Sequence, residues 1–368
     1  MFKKRYLSNL YKSIIYKIFK IYYGEINSVI KPNESSEIKE KIIEIKKSKY
    51  KIFFSNNSTL YTDRVHDVAV IKDNKIIDGP SFQIRNNIYK ECQSSSVFKK
   101  GTPRLRKKIK GSVLSLLTGG GGNSNYWHWL FDVLPRLEIV NKTEKNFKDI
   151  DYLLFPSLDQ NFQSESLDKL KIPQKKRISS KNYRHIKADQ IITTSHPYIF
   201  LNDPFKDSLN IPLWIFDFLR EKFLKKIEQD NLEKKPYPSK IYINRKDGKT
   251  KNWRFIINES EVENFLNFKG FKSVTLSEYS FLDQVKLFYH AKMIAGLHGA
   301  GFANIIFCKP GTKILEFKSN NAGDAIKNLA LNNKLIYDDI SSDPKTTNHK
   351  YQAGDIEIDL KLLHKSLD

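Results

Sequence analysis

Apolar and polar residues in the second half of the chain switch repeatedly between two periods. Short apolar runs of strand length alternate with segments whose apolar residues recur at helical spacing. The predicted strands are SKIYINR, FKSVTL, KMIAGL and TKILEF, and the predicted helices are NESEVENFLNFKG, FLDQVKLFYHA and the short FANIIF. This alternation indicates a parallel, doubly wound sheet.

The first half of the chain has a less regular pattern. Residues 28–50 are rich in lysine and glutamate, and we expect a polar connector with a short helical portion there. Strand-like segments follow, namely VAVIKDNKIID, GPSFQIRNNIY, VLSLL, DYLLFPS and QIITTS. One predicted helix interrupts them, so the fold class that we expect throughout is α/β.

Length and patterning together predict two domains. The chain has 368 residues, of which 40% are hydrophobic, which is enough for more than one core. We expect a basic amphipathic N-terminal segment at residues 1–27 and an α/β domain at 28–210. A Rossmann-like domain at 211–345 and a C-terminal tail at 346–368 complete the division.

Charge and cysteine content narrow the class of protein. The formal net charge is +22, but the lysines are spread along the chain without zinc-ligand spacing or an RNA-binding signature. Such basicity suits anionic lipid surfaces and nucleotide diphosphates. Cys92 and Cys308 lie far apart in sequence, which favours a reducing compartment. The sequence lacks an apolar run of membrane-spanning length and a signal-peptide cleavage pattern, so we expect a cytoplasmic protein.

The first 23 residues combine apolar positions at helical spacing with basic ones. The apolar residues are Leu7, Leu10, Ile14, Ile15, Ile18 and Phe19, and the basic ones are Lys3, Lys4, Arg5, Lys12, Lys17 and Lys20. A helix of this kind can lie in the headgroup region of an anionic membrane, here at the inner face of the cell membrane. It can equally pack on its own domain, and the sequence leaves both interpretations open.

The segment NYWHWLFDVLPR brings chemically useful side chains together. At about 100° per residue, a helix there has Asn125, His128, Trp129, Asp132 and Arg136 on one strip. Solvated helix faces elsewhere in the chain are rich in lysine, whereas this strip has none, which favours a functional site over a solvated face. An interior proline kinks a helix, so Pro135 affects the position of Arg136.

A second group of residues follows the strand KMIAGL. His298, Gly299, Ala300 and Gly301 form a small-residue turn into a helix, and free backbone N–H groups at a helix start favour phosphate. The turn is neither the dinucleotide fingerprint nor a P-loop, and the alternative is that its glycines serve sterics alone. Because ligands of α/β sheets bind at the carboxyl ends of strands, we expect a diphosphate site.

Three charged residues are expected at the same edge of the sheet. Arg245 ends the strand SKIYINR and Arg254 follows in the next loop, where a guanidinium can bind phosphate through two parallel hydrogen bonds. Glu316 ends the strand TKILEF, where its carboxylate can accept hydrogen bonds from ribose hydroxyls. The alternatives are two ordinary surface cations and a strand-end carboxylate.

The two groups of residues together resemble glycosyltransferase family 61. The resemblance rests on NYWHWLFDVLPRL, on IYINR with Arg254 and IINESE, and on SFLDQVKLFYHAKMIAGLHGAGFANIIFCKPGTKILEF. It implies a GT-B-like fold, with two Rossmann-like domains facing a cleft, and sugar transfer with inversion for which metal is not generally essential. The glycine run at residues 119–122 is a departure that the family does not require.

The resemblance also implies partners and roles. It puts Asn125, His128 and Asp132 on the acceptor side, and Arg245, His298, Gly299, Ala300 and Glu316 on the donor side. We add Trp129 and Arg136 to the substrate-binding residues, and Arg254 and Gly301 to the donor-binding ones. No cofactor is expected to be obligatory. The expected partners are a UDP-linked sugar and a glycan or lipid-linked glycan of capsular, exopolysaccharide or lipopolysaccharide biosynthesis.

Inverting transfer is a single displacement, so it needs one base for the acceptor hydroxyl and positive charge for the departing diphosphate. Asp132 is the first choice for the base, with His128 orienting it or serving instead. One alternative is a metal-dependent transferase that uses the D-x-D pair Asp149 and Asp151. The other is a basic binding protein for membrane or nucleic acid that keeps a nucleotide-sugar fold without catalysis.

Overall fold

The computed structural model describes residues 2–85, 88–199, 211–225, 237–246, 254–345 and 354–367. Backbone contacts divide the chain into two compact units, one of Met1–Gln163 with Lys171–Pro204 and the other of Ser164–Leu170 with Phe205–Asp368. Among the described residues, no helix combines the length and the apolar character needed to cross a membrane. The predicted boundary at residue 210 lies outside the described residues, and a division at that residue stays a prediction.

The first unit contains a mixed sheet of eleven strands in its described residues. These strands are β1 (Ser28–Ile30), β2 (Ile38–Ile45), β3 (Ser48–Thr62), β4 (Asp67–Lys72), β5 (Lys75–Ile77), β6 (Phe82–Arg85), β7 (Ile88–Glu91), β8 (Lys107–Ser115), β9 (Tyr152–Phe155), β10 (Arg177–Ser179) and β11 (His185–Thr194). Their order is β1-β5-β4-β3-β11-β8-β9-β10, with β2 beside β3 and β6 beside β4 and β7. The neighbours from β11 to β10, and β1 with β5, are parallel, whereas β3 pairs antiparallel with β11, β2 and β4. This sheet therefore differs from the wholly parallel one of a Rossmann-like domain.

A hairpin of β2 and β3 stands where we expected the polar connector of residues 28–50. The strands pair antiparallel along residues 38–45 and 48–55. Lys46 and Lys47 between them have φ values of 44° and 69°, which is the geometry of a two-residue type I′ turn. Asparagine and glycine usually mark this turn, so two lysines left the hairpin unrecognised in the sequence.

The described helices before residue 200 are short except for the first, and the last of them passes from the first unit into the second. They are α1 (Phe2–Tyr23), α2 (Val97–Lys100), α3 (Tyr126–His128), α4 (Pro135–Asn141) and α5 (Asn161–Lys169), with a π-helical turn at Trp129–Val133. Short 3₁₀ turns lie at Pro32–Glu34, Cys92–Ser94, Gly121–Asn123, Phe147–Asp149 and Gln174–Lys176. The predicted N-terminal helix is therefore confirmed as α1. The predicted helix at residues 125–136 is confirmed as a helical segment that starts after Asn125 and contains a π turn.

The second unit contains a parallel sheet, as the alternating pattern predicts. Its strands are β12 (Lys240–Ile243), β13 (Lys272–Val274), β14 (Met293–Leu297), β15 (Lys313–Ser319) and β16 (Ile336–Ser342). All neighbours in the order β13-β12-β14-β15-β16 are parallel. The strand order changes direction between β12 and β14, and the carboxyl ends of two such strands leave a crevice that suits a ligand.

Helices and a C-terminal segment cover this sheet. The helices are α6 (Leu213–Phe223), α7 (Glu259–Phe268), α8 (Phe281–His290), α9 (Ala325–Asn332) and α10 (Leu360–Leu367), with 3₁₀ segments at Leu276–Glu278 and Ala300–Phe307. Ile356, Ile358 and Leu363 are at most 2% exposed and belong to the core of the sheet. Residues 354–367, which we assigned to a tail, are therefore part of the folded second unit because their apolar side chains are buried.

Candidate active site

The helical segment of residues 126–141 is irregular. Asn125 caps it, because its side-chain oxygen accepts hydrogen bonds from two backbone N–H groups of the first turn, at 2.9 and 3.4 Å. The N–H of Leu134 then bonds to the carbonyl of Trp129, five residues back, at 3.1 Å, which makes the turn π-helical. Pro135, which has no N–H, begins the next helix. Single π turns are frequent at functional sites.

His128 and Asp132 form a hydrogen-bonded pair on this segment. Nδ1 of His128 lies 2.7 Å from Oδ2 of Asp132, the contact that their spacing indicates. The other carboxylate oxygen, Oδ1, accepts a hydrogen bond of 2.8 Å from the hydroxyl of Tyr198. The side chain of His128 is 38% exposed, whereas that of Asp132 is 4% exposed. A ligand can therefore reach the imidazole but not the carboxylate, which is engaged on both oxygens.

Asp132 fixes the tautomer and the charge of His128. Because a carboxylate accepts hydrogen bonds, Nδ1 carries a proton, and in the neutral ring Nε2 carries the lone pair. Burial disfavours the imidazolium, but the charge and hydrogen bond of Asp132 outweigh burial and raise the pKa of His128. Burial also disfavours the ionised Asp132, yet His128 and its hydrogen bond hold the pKa of that carboxyl well below its usual range.

A second imidazole lies beside the same carboxylate. Nε2 of His196 is 3.7 Å from Oδ2 of Asp132, and Nδ1 of His196 is 3.1 Å from the carbonyl oxygen of Tyr198. The rings of His196 and Tyr198 meet edge to face with centroids 4.4 Å apart. Burial lowers the pKa of His196, which favours its neutral form. These two residues follow the end of β11, so a segment distant in sequence from His128 also contacts the carboxylate of Asp132.

Arg136 and Trp129, both expected to bind substrate, have neighbours in the core of the first unit. Arg136 is 2% exposed, and its guanidinium donates from Nε to the backbone carbonyl of Asp132 at 2.9 Å and from Nη1 to that of Thr194 at 3.2 Å. Burial lowers the pKa of Arg136 to about 10. Trp129 is fully buried against the ring of Phe155. These positions give both residues a structural role, because neither side chain faces solvent.

The glycine run before the helix approaches its own chain closely. Gly120 has a φ of 106°, and a Cβ there would lie 2.6 Å from the backbone oxygen of Val65. A Cβ on Gly121 would lie 3.1 Å from Cγ of His128, so this backbone packs against the imidazole ring. The run therefore has a steric reason, and it helps to fix the orientation of His128.

The second unit contains a similar arrangement at its parallel sheet. Nδ1 of His298 bonds to Oε1 of Glu316, and the hydroxyl of Tyr337 donates to Oε2 of the same carboxylate at 2.6 Å. Glu316 is fully buried and the side chain of His298 is 5% exposed. Burial and the neighbouring Glu316 raise the pKa of Tyr337, so its hydroxyl stays protonated. Both oxygens of Glu316 are engaged, so it supports His298 instead of making the ribose contact that we expected.

Arg245 and the turn after β14 meet at the crevice between β12 and β14. Nη1 of Arg245 lies 3.5 Å from the carbonyl oxygen of His298. A Cβ on Gly299 would lie 3.6 Å from the same Nη1, which is ordinary contact, and its φ of 174° is open to any residue. Glycine is thus not required here for the backbone, and it leaves the space beside the guanidinium open. Ala300 and Gly301 begin a 3₁₀ segment, not the α-helix that we expected.

Arg254 lies close enough to Arg245 for their charges to interact, and the residue after it is bonded to a distant segment of the second unit. Phe255 donates its N–H to the carboxylate of Asp355 at 3.0 Å, and Ile356 donates to the carbonyl of Phe255 at 2.9 Å. Burial, and after it the like charge of Arg245, lower the pKa of Arg254 to about 10, while Glu316 acts in the opposite direction. Two guanidiniums that repel one another at a sheet edge create a positive potential that favours an anion.

Comparison with known protein families gives a match that covers these features. The family model described as Glycosyltransferase 61 matches residues 126–315, which is more than half of the chain and includes both His128 and His298. The chain belongs to glycosyltransferase family 61. No curated protein matches it. This family membership makes the chain a glycosyltransferase, with a nucleotide sugar as donor and a glycan as acceptor in general terms, and favours the enzyme over the non-catalytic binding protein.

In the D-x-D pair of this family 61 chain, the carboxylate of Asp151 is bonded to Ser112. Oδ2 of Asp151 accepts hydrogen bonds from the backbone N–H of Ser112 at 2.7 Å and from its hydroxyl at 2.8 Å, and these bonds lower the pKa of Asp151. Asp149 ends a 3₁₀ turn. Within the described ranges, no group of three or more histidine, cysteine, aspartate and glutamate side chains has a geometry that could hold a metal ion.

Sequence reasoning did not find the two tyrosines that complete the pairs. Tyr198 lies 66 residues after Asp132, and Tyr337 lies 21 residues after Glu316, so no local spacing connects them. The segment HPY after the apolar strand QIITTS was the available signal, because polar residues at the end of a strand often belong to sites. Tyr337 gave no comparable signal, since a tyrosine in a strand is common.

Proposed function

We propose that this glycosyltransferase transfers a sugar from a UDP-linked donor to a glycan or lipid-linked glycan in capsular, exopolysaccharide or lipopolysaccharide biosynthesis. In this proposal the transfer inverts the configuration of the anomeric carbon and needs no obligatory metal. The observation that carries the proposal is the pair of His128 and Asp132, joined at 2.7 Å, in which only the imidazole is open. An open imidazole backed by a buried carboxylate is suited to general base catalysis.

In this proposal His128 takes the proton and Asp132 positions it, which reverses our first choice from the sequence. The acceptor hydroxyl gives its proton to Nε2 of His128, and its oxygen attacks the anomeric carbon. Asp132 is unsuited to direct contact because it is 4% exposed and its oxygens bind His128 and Tyr198. It instead stabilises the imidazolium that forms, as a buried carboxylate does in other histidine-dependent sites.

The leaving group in this proposal is a nucleoside diphosphate. The bond between the anomeric carbon and the diphosphate oxygen breaks as the new bond forms, and its electron pair stays on the diphosphate. Arg245, Arg254 and the backbone N–H groups of the turn from Gly299 to Gly301 would compensate that charge. The position of this turn at the crevice of a parallel sheet supports the assignment.

A donor screen tests this proposal. The purified chain is incubated with a panel of nucleotide sugars and candidate acceptors, and products are identified by mass and their anomeric configuration by NMR. We expect one UDP-sugar to be consumed with inversion, and His128→Ala to lower turnover about 10³-fold while donor-induced thermal stabilisation remains. His290→Ala is the matched control, because His290 is an exposed histidine on α8. Retention of configuration, or full activity of His128→Ala, would contradict the mechanism.

Metal dependence is tested in the same assay. We expect turnover to survive EDTA, because the proposed site compensates the leaving charge with guanidiniums and backbone N–H groups. Loss of turnover with EDTA and recovery with manganese would favour the D-x-D alternative of Asp149 and Asp151. The GT-B-like arrangement, the cytoplasmic location and the absence of specific nucleic-acid binding stay predictions.

A further inference from the structure

The helix α1 has an apolar face that no other part of the described chain covers. Leu10, Ile14, Ile18 and Ile21 are 48%, 50%, 52% and 86% exposed. Their spacing of four, four and three residues puts them on one side of a helix, within about 80° of its circumference. We call these four residues the outer face. Side chains of this size are usually buried, so four together on one stripe indicate a contact.

The opposite side of α1 already has neighbours in the first unit. Phe19 stacks on Tyr23 with ring centroids 5.8 Å apart, and the ring of Tyr23 meets that of His185 edge to face at 5.0 Å. The guanidinium of Arg106 lies 4.4 Å above the Tyr23 ring. The carboxyl end of α1 is therefore fixed to the protein. A helix that is apolar on two sides and packed on only one needs a second apolar environment.

The charge of α1 decides which environment suits the outer face. Its sequence contains six basic residues and no acidic one: Lys3, Lys4, Arg5, Lys12, Lys17 and Lys20. Pairing with α1 of a second copy would bring two sets of positive charges together without a carboxylate to compensate them. An anionic surface is complementary instead, and long lysine side chains reach phosphate from a helix that lies in the headgroup region.

Two tyrosines beside the outer face support the same environment. Tyr11 and Tyr22 are 67% and 75% exposed. Tyrosine is enriched where lipid meets water, because its ring is apolar and its hydroxyl is polar. We propose that α1 lies flat in the headgroup region of an anionic lipid bilayer, with the outer face towards the acyl chains. This inference concerns α1 alone and is independent of the proposed glycosyl transfer.

Sedimentation of the full chain with lipid vesicles tests the inference. We expect binding to vesicles of phosphatidylcholine with about one third phosphatidylglycerol, and at least tenfold weaker binding to phosphatidylcholine alone. The double variant Ile14→Glu, Ile18→Glu is expected to lose at least tenfold in partitioning. Ile42→Glu is the matched control, since Ile42 is 63% exposed on β2, and it should bind like the unaltered chain. Circular dichroism and solution hydrolysis of the donor show whether the variants stay folded and active.

Two further measurements test the role of the positive charges of α1 and the alternative that α1 pairs with a second copy of the chain. Lys12→Gln together with Lys17→Gln should weaken vesicle binding by roughly tenfold or more, and added salt should weaken it further. Undiminished vesicle binding by the glutamate variant would overturn the inference. So would a dimer in light scattering that the glutamate variant dissociates while vesicles bind neither form, because α1 would then pair with a second copy.

Discussion

The two units contain the same arrangement of side chains in different surroundings. In each, a histidine bonds through Nδ1 to one oxygen of a buried carboxylate, and a tyrosine hydroxyl donates to the other oxygen. We call Tyr198, Asp132 and His128 the first triad, and Tyr337, Glu316 and His298 the second triad. The histidine of the first triad is 38% exposed and that of the second is 5% exposed. The two histidines therefore have the same hydrogen bonds but differ in whether a ligand can reach them.

The difference in exposure suggests two tasks. An imidazole that is open on one side and hydrogen-bonded on the other can exchange a proton with a ligand. The histidine of the second triad is enclosed, but its backbone carbonyl lies 3.5 Å from Arg245. It is suited to holding an anion-binding turn in position. The comparison predicts that damage to the first triad lowers kcat, whereas damage to the second raises the KM for the donor.

The largest effect is expected from His128→Ala. It removes the group that takes the proton, and we expect kcat to fall about 10³-fold while the donor KM changes little. Steady-state kinetics with the donor identified in the screen measures both constants. A variant that raises KM and keeps kcat would assign the first triad to binding and so remove the distinction between the triads.

The second largest effect is expected from Asp132→Asn, with a fall in kcat of about 10²-fold. Below its raised pKa, His128 is protonated and cannot accept a proton, so activity is lost as pH falls through that value. Without the carboxylate charge, burial dominates and the pKa of His128 falls, so the acidic limb of the kcat profile should move to lower pH. A limb that disappears altogether would indicate that Asp132 is the base.

Glu316→Gln tests the second triad. The amide keeps the shape of the carboxylate but removes its charge, so His298 and the turn after it lose a strong hydrogen bond. We expect the donor KM to rise about tenfold with kcat within a factor of a few, and the free energy of unfolding to fall by about 1–3 kcal/mol. A fall in kcat with unchanged KM would mean that the second triad also takes part in proton transfer.

The smallest effects are expected from the tyrosines. Tyr198→Phe and Tyr337→Phe each remove one hydrogen bond to a buried carboxylate, at 2.8 Å and 2.6 Å respectively. We expect changes of about threefold to tenfold, from a hydrogen bond worth roughly 1 kcal/mol, in kcat for the first variant and in donor KM for the second. The same constant affected in both variants would argue against separate tasks.

The sequence predicted what local periodicity controls. The pairing of His128 with Asp132 could be predicted because a four-residue spacing keeps two side chains together on a helix, even across a π turn. The proximity of Arg245 to the turn after β14 followed from the rule that parallel strands end at one edge. In both cases the information lies within one element or one sheet.

Features that depend on long-range contacts could not be predicted. Tyr198 reaches Asp132 because β11 pairs parallel with β8 and antiparallel with β3, and no spacing along the chain encodes that order. The buried position of Trp129 follows from packing on Phe155, 26 residues later. The mixed sheet was missed for a local reason, since lysines occupy the turn between β2 and β3. Burial and strand order together decide which residues of a polar strip face a ligand.

The protonation of His128 can be measured directly by NMR titration of ring-labelled histidine, with His128→Gln to assign the resonance. We predict a pKa for His128 above the ordinary value of about 6.5, a neutral form with its proton on Nδ1, and a lower pKa in Asp132→Asn. A neutral form with its proton on Nε2 would leave no lone pair for the acceptor hydroxyl. That result would contradict the assignment of His128 as the base.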